Sequence, residues 1–261
     1  MIQSSGSFKV QCAPQVPPPI DRPRPAPKIT EVHLPRTFEI VRDQLRNEIR
    51  TGAYVAGDKF PNERELADGL GVSRHAVREA LRFLESQGMI EMRKGGTGGA
   101  FVKRPDESLI SGAIQAAVDF DVVSIAHLTE ARLHLEAIVV QLACERATEE
   151  EIAQLEENVR LAEAAMEAGN RQERVRLNIE FHNILARATK NPLMLTMTQA
   201  LLATLNEITS RVGPVMGREL FEGRKKFIAH LKARRTRAAV RDMQAHLERL
   251  HRDLLALAPR R

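Results

Sequence analysis

The side chains best placed to do chemistry are two arginines and a histidine at the start of one short helix. In FPNERELADGLGVSRHAVREALRFL, residues 60–84, Arg74, His75 and Arg78 fall on or near the outer side of a helix whose Val77, Ala80, Leu81 and Leu84 face inward. A guanidinium carries a planar fork of donors that fits a guanine edge or clamps a phosphate. Ser73 stands where an N-cap belongs, accepting from the free amides of that helix. Just upstream, Asn62 and Glu65 have the spacing of a capping box, over a helix with Leu66, Ala67 and Leu70 on its apolar side. Gly71 supplies the cramped turn between the two. Two short helices joined in this way predict a helix-turn-helix whose second helix leads into a DNA major groove. The chemistry is recognition, not bond making.

The elements that must position these residues follow from the flanking pattern. Phe38, Val41, Leu45 and Ile49 recur at helical spacing from Thr37, and Gly52 stops that helix. YVAGDKFP reads as a turn, and Gly88 ends the recognition helix. MIEMRKGGTGGAFVKRP predicts a hairpin with strands Met89–Arg93 and Ala100–Lys103 and a glycine tip. Three helices and a hairpin make a winged helix. Lys94 and Gly98 then lie at the wing tip, within reach of a minor groove or flanking phosphates. The glycines match neither GxGxxG nor the Walker pattern, and no helix follows them, so they predict no nucleotide site.

Residues 1–32 are a proline-rich flexible arm, with Arg22, Arg24 and Lys28 free to brush phosphates or simply to be solvated. The winged helix-turn-helix occupies 33–104. Residues 105–261 show only helical periodicity, with breaks near 120, 148, 169, 190, GPVMG at 213–217 and RRT at 234–236. The fold class is mainly α: an N-terminal winged helix-turn-helix plus a C-terminal antiparallel bundle of six or seven helices. Of 261 residues, 43 % are apolar, enough for packed cores. Residues 33–104 hold thirteen Lys/Arg against ten Asp/Glu, while 105–261 balance at twenty-two each, so the net charge of +5 is concentrated outside the bundle. Cys12 and Cys144 form no metal or redox motif, no run of eighteen apolar residues occurs, and MIQSSGSFKVQCAPQV lacks a signal peptide's continuous apolar core, so neither a membrane span nor secretion is expected. A cytoplasmic protein with no membrane partner is expected.

Residues 35–104 resemble the winged-helix domain of the GntR family of bacterial transcription regulators, through NERELADGLGVSRHAVREALRFLESQGMI and the wing GGTGGAFV. The helical half is similar to the FadR-type effector domain, the FCD domain, through LTEARLHLE, EFHNILARATKNPL and MQAHL. The resemblance implies a homodimer that binds double-stranded, palindromic operator DNA and responds to a small molecule, often a carboxylate. It maps DNA contacts onto Arg64, Arg74, Arg78 and the wing around Gly98, beside the Ser73, His75 and Lys94 of the reading above. A repressor is the expected function. The alternatives are an activator or a ligand-independent regulator with a degenerate pocket. In a different class stands a metal-dependent hydrolase on the bundle, which lacks the carboxylates it needs. No enzyme activity is expected.

Members of that family commonly hold a divalent metal with one Asp and three His. Carried over residue by residue, these positions are Asn178, His182, Arg224 and His246. A guanidinium has no lone pair to donate and repels a cation, so Arg224 breaks the set. The expectation is therefore no cofactor, and a pocket for an organic acid lined by Arg132, Asn178, His182, Arg224 and His246. The alternative is zinc or nickel on His182, His246 and Asn178, with His230 as substitute ligand. Glu136, one turn beyond Arg132, leaves a purely structural ion pair open. His251 is expected at the surface.

Overall fold

The computed structural model describes residues 36–104, 106–210 and 219–257. The proline-rich arm, Pro105 and the GPVMG break lie outside the described residues. Helices α1 (Arg36–Thr51), α2 (Glu63–Leu70) and α3 (Arg74–Ser86) precede an antiparallel hairpin of β1 (Ile90–Arg93) and β2 (Gly99–Val102). Both capping expectations hold. The Asn62 side chain accepts from the amides of Arg64 and Glu65, Glu65 bonds back to Asn62 N, and Ser73 accepts from Ala76 N. Gly71 adopts the left-handed φ of 64° that ends α2. Val41, Leu45, Phe60, Val77, Ala80, Leu81, Leu84, Ile90 and Val102 close the small core beneath α3.

The hairpin register pairs Ile90 with Val102 and Arg93 with Gly99. Residues 57–60, read from sequence as a turn, instead run along the outer edge of β2. Gly57 N donates to Val102 O at 2.9 Å, Phe60 N to Ala100 O at 2.8 Å, and Val102 N to Asp58 O at 2.8 Å. These bonds satisfy an edge that would otherwise stand open.

Seven helices follow: α4 (Ser108–Asp119), α5 (Ile125–Arg146), α6 (Glu149–Glu167), α7 (Arg171–Ala188), α8 (Pro192–Ser210), α9 (Glu219–Lys232) and α10 (Thr236–Leu257). Short links fold α6 back on α7 and α9 back on α10, and α5 runs at the centre, against α7, α8, α9 and α10. Being covered from several sides, α5 buries Leu128, Val139, Val140, Ala143 and Cys144, and with them Thr129, Arg132 and Glu136. His251 departs from expectation. It is half-buried and hydrogen-bonds Thr129, because α10 lies along α5 there.

The ends of the central helices are tied by arginines. Arg234, in the left-handed turn between α9 and α10 (φ 53°), donates to Cys144 O at 2.7 Å and Ala147 O at 2.6 Å, the free carbonyls at the end of α5. Arg146 does the same for Thr189 O beyond α7, at 2.7 Å. A cation at a helix C-terminus also complements the macrodipole. Arg234→Ala is expected to cost about 1–2 kcal/mol. Thermal unfolding followed by circular dichroism checks it, with a midpoint lowered by roughly 2–8 °C.

Candidate functional site

On the winged helix, α3 carries Arg74, Arg78 and Arg82 at intervals of four, all exposed. His75 is exposed beside them, and Ser73 is used as the N-cap. Arg64 is exposed on α2, 3.8 Å from Asp68. A pair so open to solvent contributes little and leaves the guanidinium available. Arg78 is held differently. Its Nε lies 3.0 Å and 3.1 Å from the two oxygens of Glu63, and its Nη2 lies 2.7 Å from Glu63 Oε2.

At the wing, Lys94 is exposed and Gly98 closes the tip through its amide to Gly95 O at 2.9 Å. A Cβ at Gly98 would stand 2.3 Å from Arg93 O, so only glycine permits this turn. Gly98 thus shapes the wing and has no side chain to offer DNA. Arg93 stacks over Phe101 at 4.3 Å, and Lys59 approaches the same ring at 5.7 Å. The strand pair presents its cations on a packed aromatic support.

The bundle residues converge from four helices. Arg132 Nη2 lies 3.0 Å from His182 Nε2, His182 Nδ1 lies 2.8 Å from Glu136 Oε1, and Arg132 Nε lies 3.6 Å from the same oxygen. Arg224 donates to Asn178 Oδ1 and stacks at 4.1 Å over Phe181. Burial works against the Glu136 carboxylate, but His182 and Arg132 outweigh it and hold its pKa below the usual range. His182 is pushed down by burial, and Arg132 and Arg224 add to that. We assign it as neutral, with Nε2 accepting from Arg132. Arg224 is lowered to about 9, first by burial and then by Arg132, and still carries its charge at neutral pH. Among the described residues the buried charged side chains are Arg132, Glu136 and Arg224: two cations and one anion. Both Glu136 oxygens, Arg132 Nε and His182 Nδ1 lack a well-angled hydrogen bond despite their close contacts.

In front of this cluster a cavity of about 260 Å³ opens between α7, α9 and α10. Arg224, His182 and His246 line it, with Phe181, Arg249 and Asp242. Arg132 and Asn178 do not reach it. They stand behind, Arg132 against His182 and Asn178 against Arg224. His230 does not line it either: it turns to Asp242, at 3.5 Å.

A metal fits this arrangement poorly. Both ring nitrogens of His182 face partners, the Asn178 oxygen is taken by Arg224, and the buried surplus is already positive. Among the described residues no group of three or more His, Cys, Asp or Glu could hold an ion.

Sequence reasoning missed Phe181 and Arg249 as cavity walls. Arg249 follows His246 by one helical turn, a spacing that could have exposed it.

A winged helix led by arginines, with an all-helical bundle built around a charged cavity, defines a ligand-responsive DNA-binding regulator. Residues 37–102 match the bacterial regulatory proteins of the gntR family, and residues 127–249 match the FCD domain. The HTH-type transcriptional repressor NanR of Salmonella bongori is 35 % identical over 187 residues, 70 % of this chain and 68 % of that protein. The NanR repressor of Cronobacter sakazakii is 34 % identical over 167 residues, 63 % of each chain. A solved GntR structure from Streptococcus agalactiae superposes with a TM-score of 0.63 at 26 % identity, over 82 % of this chain and 99 % of that one. The chain belongs to the GntR family of transcription regulators and carries an FCD-type C-terminal domain; it is a regulator and not an enzyme.

Two outcomes follow from the buried charges. Glu136→Gln strands both arginines and should cost about 3–5 kcal/mol, whereas Arg224→Met removes the surplus cation and should cost distinctly less. Urea unfolding of the two variants ranks them. His246, lowered to about 3 chiefly by burial and also by the positive charge of the nearby Arg224, stays neutral in the fold while its unfolded counterpart titrates near 6.5. The unfolded chain then binds the extra proton, so stability falls as pH drops below 6.5, by up to roughly 1.4 kcal/mol per unit from this group. Replacing His246 with Gln should flatten that slope in unfolding curves between pH 7 and 5.

Proposed function

We propose that this regulator is a repressor that binds a palindromic operator as a homodimer and is controlled by a small organic acid held in the bundle without a metal. In this reading residues 33–104 dock on DNA in the bacterial cytoplasm, one winged helix per half-site, and residues 105–261 bind the effector and the second subunit. Arg64, Arg74, Arg78 and His75 supply base and phosphate contacts, Ser73 sets the recognition helix, and Lys94 reaches the backbone from a wing that Gly98 allows to turn. The repressor sign is supported by the relatives named as repressors. Among the described residues no helix is long and apolar enough to cross a membrane.

The observation that carries the effector reading is the charge imbalance: two buried guanidinium groups against one buried carboxylate, beside a cavity. An anion entering there meets Arg224, with its side chain braced by Phe181 and Asn178, and His246 and His182 as neutral hydrogen-bonding walls. Arg132 acts from behind, fixing His182. The cavity volume of about 260 Å³ lies just below the usual range of ligand sites and suits only a small acid. Binding shifts operator affinity to the extent that the acid prefers one arrangement of the bundle over the other.

The test is a thermal-shift panel of small mono- and dicarboxylic acids on full-length protein with a chelator present. At least one acid should raise the wild-type midpoint and leave Arg224→Met unmoved, and that acid should change affinity for selected DNA. Stabilisation that appears only on adding zinc or nickel, or that survives in Arg224→Met, contradicts the reading.

A further inference from the structure

On the recognition helix Arg82 pairs with Glu79 of its own helix at 3.1 Å, whereas Arg78 is held by a residue of another helix. Glu63, the first residue of α2, grips it from fifteen positions away with three contacts of 2.7–3.1 Å. All of them fall on one side of the guanidinium, the fork made by Nε–H and one Nη2–H. The opposite fork, Nη1–H with the second Nη2–H, has no acceptor among the described residues. That is the fork a guanidinium uses to reach O6 and N7 of guanine together. Glu63 is half-buried, is hydrogen-bonded by Arg78 and also feels Arg82 and Arg74, so it keeps its charge beside the arginine stripe. An acid here is costly for DNA binding in general, since it sits among the very cations that attract phosphate. Its presence calls for a compensating gain.

We propose that Glu63 is a specificity-determining positioning residue, which fixes Arg78 in one orientation so that only its end fork is offered to a base. It gives up some general attraction to DNA in return for discrimination at one base pair of each half-site. A free arginine samples many rotamers and can settle on phosphate as readily as on a base. Clamped along its side, Arg78 has lost that freedom before DNA arrives. The proposal rests on the DNA-contact reading above.

The experiment is selection from a random-sequence duplex library by the full-length protein, followed by affinity measurements on the enriched sequence, its single-base variants and a random duplex. Wild type should enrich a symmetric motif with a guanine that Arg78→Ala no longer selects. Glu63→Gln, which keeps the side chain's shape and one acceptor, should keep the rest of the motif but lose roughly tenfold in discrimination at that same position. Its affinity for random duplex should hold or rise. A plain strap between α2 and α3 would behave otherwise, with specific and random binding weakening together. Glu63→Asp, charged but one methylene too short for the grip, should relax the same position and serves where Glu63→Gln melts too low to assay. Unchanged discrimination in the folded variants, or parallel loss on both kinds of DNA, overturns the proposal. A wild type that enriches no motif, or an Arg78→Ala motif identical to wild type, overturns the contact reading on which it rests.

Discussion

The bundle depends on one electrostatic fact: among the described residues its interior holds more positive charge than negative. Arg132, Glu136 and Arg224 are all nearly sealed from solvent, at 6 %, 1 % and 5 % exposure. Burying a lone guanidinium is expensive, and a single carboxylate shared between two of them leaves one only partly compensated. The fold manages this by geometry. Arg132 is tied to Glu136 and His182, while Arg224 rests on the face of Phe181 and the oxygen of Asn178, at the edge of a cavity. Charge that cannot be neutralised internally is kept where an anion can reach it. The same surplus makes the site hostile to a divalent cation.

Precise placement of these groups comes from long helices with well-fixed ends. Ser124 and Thr148 cap α5 and α6, three glutamates occupy the first turn of α6, and Arg234 and Arg146 close the carbonyl ends of α5 and α7. Leu155, Phe181, Leu185 and Leu231 then pack these helices into a single apolar core with the charged cluster embedded at its border. On the winged helix the same economy operates on a smaller scale. The capping box of α2 and the Ser73 N-cap of α3 fix where each helix begins, and therefore which side of α3 its arginines occupy.

Much of this was legible in the chain. Caps, glycine stops and period-3.6 stripes are local signals, so the helix boundaries and the wing were readable to within a residue or two. Long-range pairing was not. The strand-like run at 57–60 looks like a turn because its partners lie forty or more residues away, on β2. His182, Arg224 and His246 carry no mark of proximity in sequence; only the family likeness brought them together, and the structure sets all three around one cavity. The same likeness put Arg132 and Asn178 in the lining, whereas both stand one layer back, because Glu136 draws Arg132 inward and Arg224 covers Asn178. The Glu63 grip on Arg78 was invisible for the same reason as the strand pairing: fourteen intervening residues and a turn separate the partners.

Elemental analysis of full-length protein, purified without added metals or chelators, tests the central claim most directly. A bundle whose buried surplus is a guanidinium has no place for a second cation beside it. Zinc, nickel and other divalent metals should be found far below one per chain, and should stay there after incubation with metal and desalting. One tightly held ion per chain would contradict the account, because it would require Arg224 to leave Asn178 and His182 to give up one of its two partners.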